Sequence, residues 1–162
     1  MSHPTAVVCR LLLAGLALAA SPAAADLLLQ GHALADGRLA VLLDNRLYLP
    51  DAQGRLERAA DGSYARRDGG EIVVAGGRAT PPRDARYDRP APRLALLTSL
   101  ASGETVALVD GELHFVERDG SRRPVPDGTY HFRNGAAAQV RGGRTTALGD
   151  LSGFRQVDAA RL

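Results

Sequence analysis

The chain has 162 residues, of which 45% are hydrophobic and only 4% aromatic, and its 20 basic and 18 acidic residues leave a formal net charge of +2. Every basic residue is arginine, and the arginines are interleaved with carboxylates, as in "ERDGSRRPVPDG" at 117–128. No basic block stands alone, which argues against a nucleic-acid binder and for a solvated mixed-charge surface.

The first segment, 1–25, is expected to be a secretory signal peptide. Arg10 supplies its positive charge, residues 11–20 are apolar, and "SPAAA" at 21–25 is a small-residue cleavage site. The apolar run is shorter than the roughly 20 residues that span a bilayer. Cleavage after Ala25 would make Asp26 the new amino terminus and place the protein in the periplasm. Cys9 and Met1, the single cysteine and methionine, fall within the signal. The mature chain would then hold no disulfide, thiolate metal site or cysteine nucleophile.

An internal duplication dominates the rest of the chain. Sliding the chain on itself until Leu34 falls on Leu100 aligns residues 34–80 with 100–146 without a gap. Asp44 then meets Asp110, Leu47 meets Leu113, and Tyr64 meets Tyr130. The phrase "DG·Y" recurs at 61–64 and 127–130, and "GGR" recurs at 76–78 and 142–144. A fixed-period repeat of this kind signals a twice-built structural unit.

Within each copy, Asp-Gly, Asn-Gly and Gly-Gly pairs mark tight turns between short runs of strand character. The expected strands are 39–43, 46–49, 56–59, 63–67 and 71–75, then 105–109, 112–116, 122–125, 129–133 and 137–141. The fold class is therefore all-β: two tandem antiparallel meanders of about five short strands each, forming a two-lobed, sandwich-like body. Unit one covers 26–80 and unit two 94–148. The four prolines of 81–93 make a linker, and 149–162 is a tail that forms a helical turn or frays. Alternation predicts that Leu47, Leu49, Leu113 and Phe115 point inward, with Tyr48 and His114 outward. Ile72 and Val74 match Ala138 and Val140 as another inward pair. Tyr64 and Tyr130 read as packing tyrosines with bonded hydroxyls, and the recurrent aspartates as turn formers.

The order "LADG … DNRLYL … GR … DGSY … RDGGEIVVAGGR" resembles the CopK family, small periplasmic copper-resistance proteins. The resemblance covers residues 34–78 and, through the repeat, the second copy. It implies a small all-β fold that binds copper. That family's copper(I) site uses methionine thioethers, whereas this chain has Leu47, Leu49 and "IVV" in the corresponding places. Without methionine or cysteine, copper(II) becomes the more plausible metal.

The candidate ligands are His114, His131 and Glu112, with His32 and the new amino terminus a weaker pair; the alternative is that these histidines are exposed without a ligand role. No nucleophile elbow, phosphate loop or dinucleotide fingerprint is present, so no catalytic or cofactor-binding residue is expected. The sequence thus points to a secreted, non-enzymatic periplasmic protein of CopK-like type, with a metal ion or a periplasmic protein as partner. The alternative is an envelope interaction or structural module that has lost its metal.

Overall fold

The computed structural model describes residues 29–80 and 94–162. The expected signal segment, the new terminus at Asp26 and the linker 81–93 lie outside the described residues. The fold is all-β, with antiparallel pairing in every sheet.

Unit one begins with a four-stranded meander: β1 (Leu29–Ala33), β2 (Leu39–Leu43), β3 (Arg46–Pro50) and β4 (Leu56–Arg58). A three-stranded sheet follows, made of β5 (Gly62–Ala65), β6 (Glu71–Ala75) and β7 (Arg78–Thr80). Unit two repeats both sheets. Its first contains β8 (Leu94–Ser99), β9 (Thr105–Val109), β10 (Glu112–Val116) and β11 (Arg122–Pro124). Its second contains β12 (Gly128–His131), β13 (Ala137–Arg141) and β14 (Arg144–Leu148). Each unit therefore has seven strands in two facing sheets, not one meander of five. The additional strands are β1, β7, β8 and β14.

The expected tail is also a strand. β15 (Arg155–Asp158) pairs antiparallel with β8, placing Val157 opposite Ala95, and ends in a 3-10 turn at Ala159–Arg161. It lies against the outer edge of unit two's first sheet, giving the order β11-β10-β9-β8-β15. In unit one the corresponding edge, that of β1, pairs with no strand among the described residues.

The repeated phrase is the lock between strands of the smaller sheet. Gly76 and Gly77 form the β6–β7 turn at φ 58° and 71°, and Gly142 and Gly143 repeat it at 58° and 76°. A two-residue hairpin with both central φ positive matches the twist of its strands, and glycine adopts it at no steric cost. The turn amides of Gly76 and Gly77 donate to the two oxygens of Asp61, at 2.8 and 2.9 Å. Asp127 accepts from Gly142 and Gly143 at 2.8 and 3.2 Å. The amides of Gly77 and Gly76, and likewise of Gly142 and Gly143, hold these carboxyls below their ordinary range. Nearby, the Tyr64 hydroxyl donates to Ala60 O at 2.8 Å and the Tyr130 hydroxyl to Pro126 O at 2.7 Å.

Between its sheets unit one buries Leu34, Ala40, Leu42, Leu47, Ile72, Val74 and Ala79. The matching positions of unit two, among them Leu100, Val106, Leu108, Leu113, Ala138 and Val140, belong to a larger cluster. That cluster also takes in the second face of unit one's first sheet: Val41, Leu43, Tyr48 and Leu56. Tyr48, expected to point outward, has 0% of its surface exposed. Alternation assigns it correctly to the face opposite Leu47, but this sheet is buried on both faces. In unit two the same face carries Ala107, Val109, His114 and Arg122. The first two of these are covered by Ala159 and its neighbours, while His114 and Arg122 remain at least partly open.

The tail joins the units. Leu56 N donates to Phe154 O at 2.7 Å, Gly153 N to Leu56 O at 2.9 Å and Gln156 N to Gly54 O at 2.8 Å. Leu151 and Phe154 are fully buried, and the Phe154 ring meets Phe132 edge-on at 5.0 Å. Phe154→Ala removes the ring from both units' shared core. It should lower unfolding stability by about 3–5 kcal/mol, read from the midpoint of denaturant unfolding. Asp61→Ala should weaken the β6–β7 hairpin and lower the melting temperature, with Asp127→Ala doing the same in unit two. A melting temperature unchanged in both variants would contradict the carboxylate lock.

Candidate functional site

The three predicted metal ligands are only partly brought together. Glu112 and His114 lie two residues apart on β10, with His114 Nε2 3.7 Å from Glu112 Oε2 and Nδ1 3.3 Å from Glu112 O. Leu113 and Phe115 turn toward unit two's core, so His114 faces away from it on the outer side of that sheet. His131 is exposed on β12, between the core-facing Tyr130 and Phe132, and so lies on the outer side of the opposite sheet. The two imidazoles face apart. Among the described residues no three His, Cys, Asp or Glu side chains are grouped for one ion.

His32 is placed quite differently from an exposed ligand near a chain terminus. It sits on β1 opposite Ala40, 3% exposed, and its Nε2 has no hydrogen-bond partner. Burial is the main cause that lowers its proton affinity; Arg66 lowers it further and Asp68 partly opposes. Arg66 itself is paired with Asp68. In unit two the positions of His32, Arg66 and Asp68 are held by Thr98, Phe132 and Asn134. The same end of the unit is a polar cluster in copy one. In copy two it is an aromatic seat for the tail.

A cleft lies beside that seat. A cavity of about 530 Å³ lies where the units and tail meet. Its wall includes Thr98 and Ser99 of β8, Thr105 of β9, Arg133 after β12, Arg55 from unit one and Arg155 from β15. Asn134 shapes the floor: its amide nitrogen donates to Asp150 O at 3.0 Å and Ser152 O at 2.8 Å, and its oxygen accepts from Ala136 N at 3.0 Å. Arg55 is held by Asp51, with Nε 2.9 Å from Oδ2. Arg133 and Arg155 make no ion pair or side-chain hydrogen bond among the described residues. Just outside the cleft, Arg58 of unit one reaches Asp150 of the tail at 3.5 Å. Burial alone would raise the Asp150 carboxyl, but hydrogen bonds from Ser152, the Arg58 charge and the nearby Tyr48 phenol outweigh it and hold it low. The Tyr48 hydroxyl nevertheless makes no hydrogen bond of ordinary geometry.

Sequence reasoning missed this cleft because its three arginines are far apart along the chain. Only the alignment of Thr98 and Asn134 with His32 and Asp68 marks the position as one where the copies diverge.

The pH dependence of stability follows from His32. Its folded proton affinity is below the ordinary value of 6.5, so the unfolded state binds the proton first as pH falls. Its contribution to stability should be full above about 6.5 and decline below it, in a window separate from the loss expected at about pH 4 as carboxylates are protonated. His32→Thr, the residue of the other copy, should flatten the slope between about pH 5 and 6.5 in denaturant titrations. No protein family, curated protein or solved structure matches the chain.

Proposed function

We propose that this is a secreted, non-enzymatic binding module of the periplasm, a duplicated β scaffold that captures a partner or ligand rather than transforming one. The supporting observation is the cleft at the unit junction. It has the size of a ligand pocket, and its wall includes arginines and hydroxyl-bearing residues. None of the residues lining it forms the nucleophile–base or paired-carboxylate arrangement that chemistry needs. The recurrent Asp61 and Asp127, the obvious carboxylates from sequence, are committed to turn amides. The secreted location rests on the composition of residues 1–25. Affinity capture from periplasmic extract is expected to return a specific partner or bound small molecule reproducibly. Recovery of the protein alone, under both native mass spectrometry and capture, would reject this reading.

A second reading is favoured by the 3.7 Å approach of His114 and Glu112: a shallow copper(II) seat of one imidazole and one carboxylate, in keeping with the CopK resemblance. Two ligands bind weakly, so calorimetric titration with copper(II) should give a dissociation constant no tighter than about 100 μM. His114→Ala should abolish that event, and His131→Ala should leave it intact because the imidazoles face apart. Tight binding retained in His114→Ala would sink this assignment.

A further inference from the structure

We infer that the junction cleft binds the phosphate monoester of a small polyol. This rests on the reading of the protein as a binding module and names the chemistry of its ligand.

Three arginines line one concavity, and two of them, Arg133 and Arg155, carry no carboxylate partner among the described residues. Arg55, the third, is partly neutralised by Asp51, so the cleft keeps an excess of about two positive charges. Guanidinium forks recognise phosphate oxygens with paired, charge-assisted hydrogen bonds, and a doubly charged phosphate matches two free forks better than a single carboxylate does. A volume of about 530 Å³ exceeds what a bare oxyanion fills. Ser99 and Thr105, paired across β8 and β9 and so on one face of the sheet, add two hydroxyls that both donate and accept, as the hydroxyls of a polyol require.

Divergence between the copies points the same way. Where the cleft has Thr98 and Asn134, unit one has His32, buried, and Asp68, whose carboxylate would repel an anion and is already paired with Arg66. The site also draws one arginine from each unit and one from the tail, so it exists only in the duplicated, tail-clamped protein.

Calorimetric titration of the purified protein with glucose 6-phosphate, inorganic phosphate and glucose tests this. Glucose 6-phosphate should saturate with a dissociation constant below about 1 mM, inorganic phosphate should bind more weakly, and glucose should not bind. Arg133→Ala and Arg155→Ala should each weaken the sugar phosphate at least about tenfold, the loss expected for one charge-assisted contact. Arg67→Ala, the same exposed position in unit one, should leave affinity unchanged. All the substituted positions are surface side chains, and coincident melting curves would confirm intact folding. If inorganic phosphate binds as tightly as glucose 6-phosphate, the polyol assignment is overturned. If Arg67→Ala costs as much as Arg133→Ala, only general surface charge is at work and the site is overturned. If nothing saturates by about 10 mM, this ligand class is wrong, whereas the binding-module reading stands or falls by the capture experiment alone.

Discussion

A four-stranded sheet with apolar side chains on both faces cannot be left with water on either, and the arrangement of this molecule follows from that constraint. Ala40, Leu42 and Leu47 on one face are covered by unit one's own small sheet. Val41, Leu43, Tyr48 and Leu56 on the other need a second cover. Each fully buried aliphatic or aromatic side chain is worth about 1.5–3 kcal/mol over its exposed state, so leaving four of them wet would offset most of the stability of a unit this small. The second cover is unit two with its tail. The corresponding face of unit two needs none on that scale, because Tyr48 and Leu56 are replaced there by His114 and Arg122. The duplication is thus structurally asymmetric: one copy docks, and the other presents a polar outside.

The scaffold and the variable ground can be separated residue by residue. Aspartate, the two turn glycines and the tyrosine recur because each makes the same bond in both copies: carboxylate to turn amides, phenol to a carbonyl four residues earlier. The positions between them are free of that duty. At one such position unit one places Arg66 and unit two Phe132. The ring recruits Phe154 and so the tail; the guanidinium pairs with Asp68. That exchange, together with Thr98 for His32 and Asn134 for Asp68, separates a closed polar end from an aromatic seat beside a cleft.

Much of the fold was legible in the sequence. Residues 39–43, 71–75, 105–109, 112–116 and 137–141 are strands with those bounds, because Asp-Asn, Asp-Gly and Gly-Gly turns punctuate them and only short-range geometry is involved. β1 and β8 were hidden: one follows the apolar run of residues 11–20 and the other the proline-rich stretch, so neither stands out by contrast. β15 was hidden for a different reason. "QVDAARL" has no strand period of its own and becomes a strand because β8 offers it an edge. Period-two alternation sorted Tyr48 onto the correct face but carries no information on what lies beyond that face. The cleft was illegible on the same ground, since Arg55, Arg133 and Arg155 meet only through tertiary contacts.

The bonds from Leu56 to Gly153 and Phe154 bear on how the molecule comes into being. A chain that emerges amino end first completes the strands of unit one long before the residues that cover Val41, Leu43, Tyr48 and Leu56 arrive. During that interval it displays a flat hydrophobic sheet, the kind of surface on which partly made proteins aggregate or are held by chaperones. Premature release between the two copies would leave that surface permanently bare, so the gene's second half serves the first as a covering, whatever it binds itself.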